Sequence, residues 1–123
     1  MGYVGTDVEP PFEKIPMAKI IWHENVLILL DEHINYAYLE FGKSTALRWK
    51  TEIAAFEERV KLFPESYPPE ELLANELVLY RRRHLMNRRF KLIHYYDEAA
   101  DTVHVVDIWD VRMNPETLIL RIK

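Results

Sequence analysis

The sequence predicts an α+β domain of element order β-α-α-β-β-β, in which a helical hairpin packs on one face of a mainly antiparallel sheet. Two observations predict this fold. Two consecutive segments repeat large apolar residues every three or four positions, as amphipathic helices do. Three later segments are short, rich in apolar residues and joined by brief turns, as in a β-meander. At 123 residues the chain has room for one such domain.

The domain is expected to begin at Met17. Residues 1–16 contain three of the seven prolines and show no sustained periodicity, which indicates an N-terminal tail. The segment Met17–His23 carries a short apolar run typical of a first strand. We therefore predict a tail over 1–16 and a single domain over 17–123.

Two helices follow the first strand. Gly42 is expected to end the first helix with a left-handed cap, Ser44 to cap the second, and Pro64 to close it. Such a short connection predicts an antiparallel helical hairpin. The residues expected on its buried stripes are Val26, Leu30, Ile34, Ala37 and Phe41 in the first helix, and Ala46, Trp49, Ile53, Phe56, Val60 and Phe63 in the second.

Three strands are predicted at Leu77–Leu85, Phe90–Tyr96 and Thr102–Trp109. Turns centred on Asn87 and on Ala99-Ala100 would place Arg83 opposite Lys91, Tyr95 opposite His104, and Ile93 opposite Val106. The helices would then cover the face that holds Arg82, Asp107 and Trp109. The face left open would be cationic at one end and apolar in the middle, as binding surfaces often are; its residues would be Arg81, Arg83, Lys91, Ile93, Tyr95, His104, Val106 and Ile108.

Charge is distributed unevenly along the chain. The net charge is −4, yet the segment from Val78 to Lys123 has nine Lys or Arg residues against six acids, a net of +3. The remainder is therefore at −7. This asymmetry favours either a local anionic partner or a solvated strand edge protected by arginines, and the charges alone do not separate the two.

Several classes of function find no support in the sequence. There is no cysteine, the three glycines form no phosphate-binding loop, and the five histidines do not match the spacing of a metal site. We expect no cofactor and no metal. The longest uninterrupted apolar run is Val26–Leu30, and the start does not resemble a secretory signal, so we expect a cytoplasmic protein without a membrane partner.

Four local motifs, in this order, resemble those of the RelE/ParE toxin superfamily. They are Lys19-Ile-Ile-Trp22 before the first helix, Ala46-Leu-Arg48 with Leu62-Phe-Pro64 at the two ends of the second, Arg88-Arg-Phe-Lys-Leu-Ile-His-Tyr-Tyr-Asp97, and Val105-Val-Asp-Ile-Trp-Asp-Val-Arg-Met-Asn-Pro115. The resemblance spans Met17 to about Leu118. It implies the toxin of a type II toxin–antitoxin (plasmid stabilization) system, which a cognate antitoxin neutralises and which meets operator DNA only through that antitoxin.

The resemblance leaves two targets open. The ParE branch inhibits DNA gyrase without catalysis, whereas the RelE branch is a metal-independent endoribonuclease that cuts mRNA on the ribosome. In the second case the resemblance implies Lys91, Arg112, Arg81 and Arg83 as catalytic cations. Thr117-Leu118 stand where a ribonuclease member has its C-terminal tyrosine, which favours the ParE branch and a non-enzymatic inhibitor. A degenerate, non-toxic binding member is a third possibility.

The surface expected to bind the partner follows from the predicted open face and the resemblance together. It comprises Arg81, Arg83, Lys91, Ile93, Tyr95, Val106, Ile108 and Arg112. The toxin hypothesis requires the four cations among them to lie side by side where the helices leave them uncovered.

Overall fold

A computed structural model describes residues 16–122. The predicted N-terminal tail therefore lies outside the described residues, except for Pro16. The elements are β1 (Lys19–Trp22), α1 (Glu24–Phe41), α2 (Lys43–Leu62), a 3-10 turn (Glu71–Leu73), β2 (Arg81–Leu85), β3 (Phe90–Asp97), β4 (Thr102–Asp110) and α3 (Pro115–Ile122).

The α+β architecture and the predicted element order are confirmed. The four strands form one sheet in the order β1-β4-β3-β2. β2, β3 and β4 are an antiparallel meander, and β1 pairs with β4 in parallel. The parallel pair arises because the helical hairpin, placed between β1 and β2, carries the chain across one face of the sheet.

The helical hairpin covers that face through the predicted stripes. Ala46, Trp49, Ile53, Phe56 and Val60 are all buried, as the spacing predicts. Two residues at the helix ends, Phe41 and Phe63, are exposed instead. The Trp22 indole donates a hydrogen bond of 2.8 Å to Glu57 and so ties β1 to α2.

Gly42 forms the corner of the hairpin. Its φ of +98° is a backbone conformation that side chains with a Cβ disfavour, and its N–H donates to the carbonyls of Ala37 and Tyr38. The positive φ at this corner is therefore confirmed. The expected cap at Ser44 is wrong, because α2 already begins at Lys43 with Gly42 at the N-cap position.

The second face of the sheet is partly covered, contrary to expectation. Leu73 of the 3-10 turn and Leu118 of α3 pack against Ile93 and Trp109 in a separate small core. Helix α3 lies beyond the last element predicted from the sequence. Its N-terminus is capped by Asn114, whose side chain accepts a 3.0 Å hydrogen bond from the N–H of Glu116.

The predicted register between β2 and β3 is wrong by one residue. Four residues, 86–89, connect these strands, so Leu85 pairs with Phe90 and His84 pairs with Lys91. A three-residue turn was expected. Because side chains alternate along a strand, this single residue moves Arg81 and Arg83 to the face under the helices and Arg82 to the other face.

A bulge in β4 changes the second register. Tyr95 does pair with His104, as predicted, but Ile93 pairs with Asp107 rather than with Val106. The extra residue at Val106 interrupts the alternation along the strand. Trp109 and Asp107 therefore face away from the helical hairpin, and Ile108 lies beneath it, the reverse of the predicted arrangement.

Candidate functional site

The four predicted cations do not form one surface. Lys91 lies on the second face of the sheet, Arg81 and Arg83 lie on the hairpin face, and Arg112 follows β4 in a loop. The juxtaposition expected from the sequence is therefore wrong, for the reason of register given above. The contacts of each cation show its structural role in the fold.

Lys91 neutralises a buried carboxylate. Its Nζ lies 2.9 and 3.0 Å from the two carboxylate oxygens of Glu70, whose side chain has no solvent exposure. Glu70 also accepts a hydrogen bond of 3.0 Å from the N–H of Leu72, at the start of the 3-10 turn. Lys91 is thus committed to a structural ion pair.

The arginines are also engaged. Arg81 donates a 2.8 Å hydrogen bond to the carbonyl of Tyr67, and Arg83 lies 3.4 Å from the carboxylate of Glu52 in α2. Arg112 contacts Asp110 at 3.5 Å and keeps most of its side chain in solvent. Of the four, Arg112 is the most available to a partner.

The apolar members of the predicted surface divide in the same way. Ile93 is fully buried under α3, and Ile108 is buried under the helical hairpin. Neither can contact a partner in this fold. Tyr95 and Val106 remain partly exposed on the second face, beside residues that come from distant parts of the chain.

A histidine–tyrosine cluster occupies that part of the second face. It consists of His23, Tyr80, Tyr95 and His104. Nε2 of His23 lies 3.1 Å from Nδ1 of His104, so the two imidazoles share one hydrogen bond. The ring of Tyr95 stacks on His104 at 4.8 Å with an angle of 11°, and Tyr80 meets Tyr95 edge-on at 5.6 Å.

The environment favours the uncharged forms of His23 and Tyr80. Burial, followed by the neighbouring His104, lowers the pKa of His23 below its ordinary value, which favours a neutral imidazole. Burial raises the pKa of Tyr80, with Tyr95 and Glu76 adding to the effect. A neutral imidazole can accept a proton from a bound hydroxyl group and return it.

Arg121 supplies a positive charge to the same place. It lines a groove of about 350 Å³ together with His23, Tyr80 and Tyr95. Its guanidinium is anchored 2.5 Å from Oδ1 of the buried Asp107 and lies over the ring of Trp109. The groove therefore combines acid–base groups and aromatic faces with a guanidinium whose charge Asp107 offsets, and whose remaining N–H groups can donate to a phosphodiester.

No family model matches the sequence, and no curated protein matches it either. The RelE/ParE interpretation thus depends on the sequence motifs and on the topology. Within residues 16–122, no helix is long and apolar enough to cross a membrane. No three His, Cys, Asp or Glu side chains in this part of the chain come together as metal ligands.

Only some residues of this cluster could be placed together from the sequence. Tyr95 and His104 were correctly paired across the second turn of the meander. His23 and Tyr80 fall at the ends of elements, and Arg121 lies beyond the last predicted strand. The parallel pairing of β1 with β4 places His23, the register of β2 on β3 places Tyr80, and the fold of α3 places Arg121.

Proposed function

We propose that this chain is the toxin of a type II toxin–antitoxin system, held inactive in the cytoplasm by a partner protein. The observation that carries the proposal is a set of large apolar side chains that α1 exposes among its acidic residues. Its members, which are between 49% and 78% exposed, are Leu27, Ile28, Tyr36, Tyr38, Leu39 and Phe41. A single helix that presents so many large apolar groups to water is typical of a surface that another protein covers.

The resemblance to the RelE/ParE superfamily supports the same conclusion. The topology agrees with the one that the resemblance implies, and the motifs occur in the order of the elements. By this resemblance the target is DNA gyrase, and the neutralising partner is the product of an adjacent gene. The four cations expected to engage the target lie on different surfaces and do not support this proposal.

Growth assays test this proposal. Induced expression of the chain alone should arrest bacterial growth, and co-expression of a short acidic protein encoded beside it should relieve the arrest. Purified protein should inhibit supercoiling by gyrase in vitro. Growth without arrest would contradict the proposal and favour a degenerate, non-toxic binding member.

A second candidate function is the metal-independent cleavage of mRNA, and the histidine–tyrosine cluster is the observation that favours it. One imidazole of the His23–His104 pair would take the proton of a ribose 2′-hydroxyl as its oxygen attacks phosphorus. The bond from phosphorus to the 5′ oxygen breaks, and that oxygen takes the same proton back from the imidazolium so formed, directly or through the hydrogen bond that joins the two imidazoles. Arg121, held by Asp107, would donate hydrogen bonds from its remaining N–H groups to the phosphoryl oxygens.

The two candidates predict different effects of one substitution. If the chain cleaves mRNA, His104→Gln should lower cleavage at least a hundredfold, as the loss of a general acid–base group does. Primer extension on cellular mRNA measures this. His84→Gln is the matched control, because His84 lies in β2 outside the cluster. If the chain inhibits gyrase, His104→Gln should leave both the arrest and the supercoiling inhibition unchanged.

A further inference from the structure

A groove lies between α2 and β2, at the edge of the sheet. The residues that line it, and that define the arginine groove, are Arg59, Tyr67, Pro68, Arg82, Arg83 and His84; its volume is about 360 Å³. Because β2 is an edge strand, side chains from both of its faces can reach this groove. Among the described residues, the lining has three guanidinium groups and one imidazole, but no carboxylate.

Arg59 is held at the wall that α2 provides. Its guanidinium lies over the ring of Tyr67, 5.5 Å from the ring centroid, and its Nε donates a 2.9 Å hydrogen bond to the hydroxyl of Ser66. The Tyr67 ring is itself fixed by Phe56 and His94, whose ring centroids lie 5.8 and 5.7 Å away. The bond through Nε uses one of the five N–H groups of a guanidinium. Arg59 is therefore positioned and can still donate to a ligand.

Arg82 is positioned by backbone carbonyls. Its main-chain N–H donates a 3.0 Å hydrogen bond to the carbonyl of Pro68, and its guanidinium donates to the carbonyl of Pro69. A carbonyl holds the side chain but does not neutralise its charge. Within residues 16–122, no carboxylate forms an ion pair with Arg82, and the same is true of Arg59.

Two carboxylates near the groove are paired with other arginines. Glu52 contacts Arg83 at 3.4 Å, and Glu65 contacts Arg81 at 3.6 Å. Arg83 therefore adds hydrogen-bond donors to the groove rather than net charge. The two unpaired guanidinium groups leave a concave surface of one sign, and such a surface concentrates anions.

The imidazole of His84 experiences the same positive field. Burial, followed by the charges of Arg88, Arg82 and Lys91, lowers the pKa of this group, and Glu70 acts in the opposite direction. A neutral imidazole still has one N–H that can donate to an anion. A bound anion would favour the imidazolium, so the pKa of His84 should rise when the groove is filled.

We propose that the arginine groove binds a phosphoryl group that carries two negative charges, from inorganic phosphate or from a phosphomonoester. The planar guanidinium groups of Arg59 and Arg82 donate to its terminal oxygens, as arginines do in phosphate sites. Two unpaired cations match two negative charges, whereas an internal phosphodiester of RNA carries only one. The groove shares no lining residue with the histidine–tyrosine cluster, and the proposal does not depend on the toxin assignment.

A titration with three phosphate compounds tests this chemistry. Inorganic phosphate, AMP and the dinucleotide UpU are added to the full chain at pH 7.5, where a phosphomonoester carries close to two charges. ¹H–¹⁵N NMR follows the Nε–H groups of Arg59 and Arg82. Phosphate and AMP should give saturable shifts at both, and UpU should bind at least about tenfold more weakly.

The same titration separates the two sources of the phosphoryl group. Similar affinities for phosphate and AMP would support recognition of the phosphoryl group alone, and tighter binding of AMP would support a nucleotide as the ligand. The absence of a saturable shift would overturn the proposal. UpU that binds as tightly as AMP would also overturn it, because the groove would then be a surface for the nucleic-acid backbone.

Three glutamine variants locate the site. Arg59→Gln and Arg82→Gln should each weaken phosphate binding at least about fivefold. Lys50→Gln is the matched control, because it removes the same charge from an exposed position of α2, nine residues from Arg59 and thus on the opposite side of the helix. Equal weakening by Lys50→Gln would overturn the proposal. If Arg82→Gln does not fold, Arg59→Gln decides, since Arg59 is exposed.

The pKa of His84 gives an independent readout. Saturation with phosphate should raise this pKa, measured from the imidazole signals in an NMR pH titration. His33 is the control: burial is the main cause of its lowered pKa too, but it lies in α1, outside the groove, and its pKa should not change. An unchanged pKa of His84 at saturation, or an equal rise at both histidines, would overturn the proposal.

Discussion

Replacing Lys91 should destabilise the fold before it affects any activity. The Glu70 side chain is fully buried and Lys91 is 16% exposed, with both carboxylate oxygens within 3.0 Å of Nζ. In Lys91→Ala the carboxylate would keep one hydrogen bond, from the N–H of Leu72, and lose its counter-charge. Breaking one side of a buried pair costs about 3–5 kcal/mol, a large part of the roughly 5–15 kcal/mol of stability that holds a typical domain folded.

Urea unfolding monitored by circular dichroism measures this cost. The double variant Lys91→Met with Glu70→Gln should recover most of the loss, because methionine keeps the packing and the glutamine oxygen still accepts from Leu72. The control is Arg112→Ala, which removes a cation that contacts Asp110 but is far more exposed than Lys91. It should change the free energy of unfolding by less than about 1 kcal/mol. If Lys91→Ala unfolds at the wild-type urea concentration, the pair contributes little and the reasoning is refuted.

Three further predictions concern stability. Burial lowers the pKa of His94 to about 4, below the roughly 6.5 of an unfolded histidine. The stability that neutral His94 contributes is therefore fully present above pH 6.5. It is lost as the pH falls from 6.5 to 4. Urea titrations between pH 7.5 and 4 should show about 3 kcal/mol more loss in the wild type than in His94→Phe; equal losses would contradict this. Arg88 has a φ of +67°, so Arg88→Gly should raise the melting temperature by relieving about 1 kcal/mol of left-handed strain, and an unchanged or lower melting temperature would argue against that strain. Phe56→Ala, in the fully buried core, should lower the free energy of unfolding by about 3–5 kcal/mol in the same urea assay, and a loss below about 1 kcal/mol would contradict the packing.

The helices were predictable because each depends on a local pattern. The stripe from Ala46 to Val60 recurs with the period of a helix, and burial of those side chains drives their association whatever the details of the sheet. Helix α3 was also predictable from the sequence. Asn114 followed by Pro115 and Glu116 is a helix start with a cap, a proline at the first position and an acid in the first turn.

The composition of each face of the sheet was not predictable in the same way. It depends on whether the loop after Leu85 has three residues or four, and on an extra residue at Val106 in β4. Nothing local distinguishes these cases, because both registers leave each strand apolar and similarly long. The free-energy difference arises from contacts that span the chain, such as Glu52 with the N–H of Met86.

The sequence by itself determined the fold class, the element order and the residues that form the hairpin core, since these follow from side-chain periodicity. Only the tertiary structure decided that Lys91 neutralises Glu70 and that Arg81 and Arg83 lie under the helices. It alone joined His23 to His104 and formed the arginine groove. The physical reason is the two-residue period of a strand: a shift of one residue reverses every side chain, and only long-range packing selects the register.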